Sequence, residues 1–215
     1  MKASGAGSKI PLVARFGLAA LIMVGVGATV AQKPTPLQHH LDPPLYTQDL
    51  TFHDKTLEQK VRILVDREEI RDLIATYAHR VAHGIPQYDL FTEDGTFTIR
   101  RLPDESVDTV TGIEAMKKRA GRLREPNTSP IHSPDSERAL PMIHNFLIRI
   151  EGDNAWGINS NELRITENGK SMIASGYYED VYRRVNGKWK FVRRDTTFIH
   201  HVPIQQGWAR PVESK

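Results

Sequence analysis

The pair Asn186-Gly187, set between the alternating runs 176–185 and 188–194, constrains this chain more than any other feature. Asn and Gly both tolerate the positive φ that a two-residue type I′ turn requires at its two central positions, so the pair predicts a β-hairpin. A closed turn fixes register by counting outward. Arg184 then faces Trp189, Tyr182 faces Phe191, Val181 faces Val192, Asp180 faces Arg193 and Glu179 faces Arg194. Aromatic and opposite-charge cross-strand pairs each contribute roughly 0.2–1 kcal/mol, and only Arg183 opposite Lys190 runs against that pattern. The face holding Gly176, Tyr178, Asp180, Tyr182, Trp189, Phe191 and Arg193 carries the large aromatics and is expected to point to the core.

The N-terminal residues 1–31 place Lys2, Lys9 and Arg15 around and before an uncharged apolar run, 16–30, that ends at Ala31. A basic start, a short apolar stretch and small residues before a cut read as a secretory signal peptide, which predicts a secreted or periplasmic protein. The other reading is an uncleaved anchor, although a membrane-spanning helix usually needs about 20 apolar residues. Removing residues 1–31 takes away three basic and no acidic residues, so the formal charge of +3 becomes zero. A neutral domain without a basic, aromatic-interleaved face is not expected to bind nucleic acid or to stay in a membrane once the signal is cut. With no Cys, the domain relies on an ordinary hydrophobic core.

Residues 32–55 hold Pro34, Pro36, Pro43 and Pro44 without helical or strand period, as a linker or an arm lying on the domain. His39, His40 and His53 fall there without carboxylate or Cys partners, so no metal site is expected of them. Thr56 with Gln59 forms a capping-box pattern that opens a helix to Ala82, with Leu57, Val61, Leu64, Ile70, Ile74, Tyr77 and Val81 as its apolar stripe. Gly84 and Pro86 stop it. A short turn at 88–91, a strand at 95–99 and a second helix at 112–122 come next. A polar, proline-containing stretch over 121–140 follows, long enough for a lid, with a glycosylation sequon at Asn127. Strands at 142–151 and 155–164 then lead through Asn168-Gly169 into the hairpin, and 206–215 is a tail. Helices followed by a meander describe an α+β fold.

The runs 67–84, 90–97, 111–119, 148–157 and 176–194 together resemble a SnoaL-like domain of the nuclear-transport-factor-2-like superfamily. The resemblance implies a domain over 56–205: a cone-shaped, curved mixed β-sheet whose concave face receives the N-terminal helices and leaves a deep pocket. It also implies a small hydrophobic or cyclic ligand, a homodimer through the outer sheet face, and no cofactor. Enzymatic relatives place an aspartate five residues after the helix tyrosine and a second acid three residues later. Counted from Tyr77, those positions are Ala82 and Ile85, so the usual pocket acid is missing. A family histidine four residues before the strand asparagine, here Asn145, is replaced by Pro141.

The remaining chemistry is distributed over a few side chains. His144 alternates in phase with Phe146, Ile148 and Ile150, which would bring its imidazole into the pocket as a base; otherwise it is a hydrogen-bonded rim histidine. Tyr77 and Tyr178 can donate to a substrate oxygen or simply pack. His83 either replaces the lost acid or caps the helix end, where imidazolium suits the dipole. His79 and His83 have the spacing of two metal ligands, but no third ligand is apparent. Phe146, Trp189, Asp180 and Arg193 complete the expected pocket wall; Asp180 either replaces the missing acid or, set against Arg193, forms a structural or orienting ion pair, the reading favoured because a paired carboxylate is a poor base. Two functions fit: a cofactor-independent dehydratase or isomerase of a cyclic or polyketide-like substrate, or a non-catalytic ligand-binding or dimerisation module.

Overall fold

The structure, a computed structural model, describes residues 43–102, 106–122, 139–167 and 169–207. The expected signal segment, the sequon at Asn127, nearly all of the 121–140 stretch and the C-terminal residues from 208 lie outside them. Helix α1 runs Leu57–Ala82 and helix α2 Ile113–Arg122. The strands are β1 (Phe91–Arg101), β2 (Ser106–Thr111), β3 (Leu140–Glu151), β4 (Asn154–Glu167), β5 (Lys170–Val185) and β6 (Lys188–Pro203). They form one curved, unclosed sheet in the order β2-β1-β6-β5-β4-β3, antiparallel except where β1 lies parallel to β6. β2 has no counterpart in the sequence reading. Its residues Ser106–Thr111 are mostly exposed, so no apolar alternation announces an edge strand.

The capping box forms as its residues require. Thr56 accepts from the Gln59 backbone N–H at 3.2 Å, and the Gln59 side chain accepts from the Thr56 N–H at 3.0 Å. Ile70, Ile74 and Tyr77 are buried against the sheet, whereas Leu57, Val61 and Leu64 at the start of the stripe are exposed. The stripe therefore marks core only over the second half of α1. Two arginines hold the helix. Arg67 donates to the Ile148 carbonyl on β3 at 2.8 and 3.1 Å and lies 4.6 Å from the Phe52 ring centroid. Arg184 on β5 bonds Asp66 and lies 4.5 Å above the Trp189 ring. Ahead of α1, a single helical turn, Leu45–Thr47, sits on β3 and β4 with Leu45 buried. Among the described residues no helix is long and apolar enough to cross a membrane.

The hairpin closes on Asn186 and Gly187 at φ 51° and 76°, and its first pairs are those counted from the turn: Arg184 with Trp189, Arg183 with Lys190, Tyr182 with Phe191. Beyond them the count fails. Val181 pairs with Arg193, Asp180 with Arg194 and Glu179 with Asp195, because Val192 is an extra residue on β6. A one-residue bulge exchanges the two faces of everything past it, so Arg194, not Arg193, turns inward. A second bulge at Ile199 sets Gly176 against Phe198 and Ser175 against His200. A third lies in β3: His144 pairs with Ser160 and Leu147 with Ile158, with Asn145 at φ 56°. These extra residues bend the long strands around the helices.

Gly176 is where the curvature leaves no room, since a Cβ there would stand 1.8 Å from the Thr197 carbonyl oxygen. Overpacking ordinarily costs about 1–3 kcal/mol and here strikes backbone, so Gly176→Ala is expected to lose about 3 kcal/mol or more in urea unfolding. A Gly176→Ala protein as stable as the parent would show that the β5–β6 bulge is not held this tightly.

Candidate active site on the concave face

The inward positions of β4, β5 and β6 form three rows across the sheet. Gly157, Asp180 and Arg194 make one row, Asn159, Tyr178 and Thr196 the next, and Asn161, Gly176 and Phe198 the third. Tyr77 descends onto them from α1. Arg194 is wholly buried, and its guanidinium carbon lies 3.8 Å from the Tyr178 ring centroid, 4.3 Å from Tyr77 and 4.6 Å from Phe191. Three aromatic faces around one cation replace part of its hydration electrostatically. The charge is balanced by Asp180, also wholly buried, whose Oδ2 accepts from Arg194 Nη1 at 3.3 Å, Asn159 Nδ2 at 3.1 Å and the Tyr182 hydroxyl at 2.9 Å.

All of these donors converge on one oxygen. Among the described residues, Asp180 Oδ1 has no hydrogen-bond partner, and neither do Arg194 Nε and Nη2, Asn159 Oδ1 or either polar atom of Asn161. Buried polar groups are nearly always paired with protein or ordered water, so these atoms keep hydrogen-bonding capacity for a further partner. Burial raises the Asp180 carboxyl above its ordinary value, with Arg194 opposing. Burial likewise raises the hydroxyls of Tyr77 and Tyr178, with Arg194 again opposing, so both are neutral donors at physiological pH. For Arg194 itself burial acts to lower the value, and Asp180 with the surrounding tyrosines outweighs it, leaving the guanidinium charged.

Tyr77, Tyr178, Asp180 and Trp189 are all buried on this face, and Phe146 is half-buried against the same core. Trp189 lies at the hairpin end beneath Arg184, as part of the core floor. Two expectations are corrected, and His83 takes the helix-cap reading of the two offered. Arg193 is on the outer face, 3.5 Å from Asp195, because the Val192 bulge exchanged it with Arg194. His144 is exposed and pairs with the outward Ser160, because the bulge at Asn145 breaks the alternation that tied it to Phe146, Ile148 and Ile150. His83 is the exposed cap of α1, its Nδ1 2.8 Å from the His79 carbonyl oxygen, while the preceding Ala82 takes the buried position. It lines a shallow, open groove with Asp72, Ala75, Thr76, His79, Arg80 and Ile85 on the helix surface. Among the described residues no three His, Cys, Asp or Glu side chains are grouped to hold a metal ion.

Arg194, Asn159 and Asn161 were missed. The asparagines were detectable: they occupy the apolar phase of β4 between Ala155, Gly157 and Leu163, where buried amides have no packing reason to be. Nothing local distinguishes Arg194 from Arg193.

A helix-packed, curved mixed sheet with its polar cluster on the concave side defines a class of small α+β domains built around an interior site. The SnoaL-like domain model matches residues 62–195, more than half of the chain, and the chain belongs to that family. Solved structures agree in fold. A putative scytalone dehydratase from Novosphingobium aromaticivorans is 21% identical over 71% of this chain and 96% of its own, with a TM-score of 0.53. LinA is 21% identical over 71% of this chain and 99% of its own, TM-score 0.54. A type 3 LinA hexachlorocyclohexane dehydrochlorinase from Novosphingobium barchaimii is 18% identical over 71% and 99%, TM-score 0.55. At these identities the likeness shows the fold alone. No curated protein matches the chain.

Removing Arg194 leaves a buried carboxylate without its counter-ion, so Arg194→Met is expected to lose about 3–5 kcal/mol at neutral pH. The Asp180 carboxyl has a folded value above its ordinary 3.8, so folding takes up a proton above that pH. Its contribution is full below the ordinary value and is lost as pH rises through the folded one. Without Arg194 to oppose the rise, that interval extends upward, and the penalty of Arg194→Met should shrink as pH is lowered from 7 to 5. Chemical denaturation at both values checks this, and a penalty that grows on acidification would contradict the pairing.

Proposed function

We propose that the chain is a cofactor-independent lyase or isomerase whose concave face binds a small cyclic molecule through an oxygen atom at Arg194. The carrying observation is a guanidinium held charged among three rings, with two N–H-bearing nitrogens unpaired. A fixed donor in a dry site is worth most where negative charge develops, as on the oxygen of an enolate. Asp180 is the base this geometry offers. Its Oδ1 is unpaired, burial favours its protonation, and Oδ2 is held by Arg194, Asn159 and Tyr182. Asp180 takes a proton from the carbon beside a carbonyl, and the electron pair moves onto the oxygen facing Arg194. Return of that proton to a different carbon gives an isomer. Its delivery to a departing β-hydroxyl gives water and an unsaturated ketone. Tyr178, neutral and adjacent to Arg194, supplies a further donor. The dehydratase and dehydrochlorinase names of the structural neighbours support the lyase side of this reading.

The second reading, a non-catalytic binding module, is favoured by the outward His144, by His83 on the helix surface and by Ala82 at the buried end of α1. Proton exchange of cyclic ketones such as 2-tetralone in deuterated water, followed by NMR, separates the two. The enzyme reading expects exchange above buffer, a loss of about 100-fold in Asp180→Asn, and no change in His144→Ala. Ketone binding without exchange would leave the binding module. Export to the periplasm or medium, on the strength of residues 1–31, and homodimerisation through the outer sheet face complete the proposal. Fractionation of the native cells and sedimentation of the purified protein test them; a concentration-independent monomer removes the dimer.

A further inference from the structure

Resting on the concave face as the ligand site, we infer that the ligand is an oxygenated compound carrying a carbonyl or carboxylate acceptor together with at least one hydroxyl donor, and that Asn161 selects for it. The unpaired groups are of both kinds. Arg194 Nε and Nη2 and the Asn161 amide NH2 need acceptors, while Asp180 Oδ1, Asn159 Oδ1 and Asn161 Oδ1 need donors. The assignment at Asn159 is fixed, since its Nδ2 is the group that donates to Asp180. At Asn161 it makes no difference, because both atoms lack a partner among the described residues.

A hydrocarbon or chlorinated ring would satisfy none of the three acceptors, and a simple ketone or carboxylate would leave them all unpaired. A site built to hydrogen-bond a hydroxyl discriminates strongly against an analogue lacking it, since its own buried groups are then stranded. Asn161 is placed for this. It is nearly fully buried in the row that includes Gly176, which has no side chain, so its amide is not filled in from the neighbouring strand. Its other strand neighbour on the sheet is Ile143, which offers no polar partner.

The test titrates the full folded domain with 3-hydroxybenzoate, benzoate, toluene and hexachlorocyclohexane by calorimetry, with the melting temperature of the ligand-free protein as an independent readout. The expected order is 3-hydroxybenzoate at least about tenfold tighter than benzoate, with the two apolar compounds not bound. The near-isosteric Asn161→Leu should remove that preference while leaving ligand-free melting unchanged or raised, since an amide without a partner among the described residues is replaced by an apolar group. Tighter binding of toluene or hexachlorocyclohexane than of 3-hydroxybenzoate would overturn the ligand class while keeping the concave site. A lower melting temperature or failure to fold in Asn161→Leu would make the residue structural and overturn its selecting role. Binding of none of the four compounds would overturn the concave site and this inference together.

Discussion

The structure depends on one buried ion pair. Desolvating a guanidinium and a carboxylate is expensive, and only good geometry with further hydrogen bonds offsets it. Arg194 and Asp180 meet that demand through elements far apart in sequence: Tyr77 from α1, Tyr178, Asp180 and Tyr182 from β5, Asn159 from β4 and Phe191 from β6. Helix, strand curvature and register must all be right before the pair is tolerable. Its presence therefore specifies which way α1 lies on the sheet as much as it stabilises it.

The concave face divides into two parts with different chemistry. Toward the hairpin turn it is an aromatic and aliphatic core of Ile70, Ile74, Phe91, Tyr182, Trp189 and Phe191, clamped by Arg184 to Asp66. Away from the turn the same strands carry Asn159, Asn161, Thr196 and the Arg194–Asp180 pair. A sheet optimised only for stability would continue the apolar rows, since replacing unsatisfied buried polar groups by apolar ones of similar shape is neutral or favourable.

At the helix position where the family resemblance implies an acid this chain has the buried Ala82, and His144 and His83 are exposed. In the proposed reaction the proton transfer falls to Asp180, a residue that a hairpin without the bulge would have tied to Arg193. The bulge gives it Arg194 instead and leaves Oδ1 unengaged. In the proposed reaction the base thus comes from the sheet rather than from the helix.

Local sequence alone determined the type of each main element. Asn186-Gly187 closed the turn, Thr56 and Gln59 started the helix, and Tyr182 met Phe191, because each of these depends on residues within a few positions of one another. It also identified the family and with it the curved sheet, while the helix stripe and the aromatic hairpin face marked Tyr77, Tyr178 and Asp180 as inward residues. What it did not determine was the phase of the strands beyond their bulges. The extra residues at Val192 and Asn145 are set by how long strands bend around α1, a tertiary demand that leaves no local mark. Each inserts one position, and with a side-chain period of two a single insertion sends Arg193 outward, Arg194 inward and His144 to solvent. Tyr77, Tyr178 and Asp180 were legible as inward residues, and the tertiary structure added Arg194, Asn159 and Asn161 to them while turning Arg193 and His144 away.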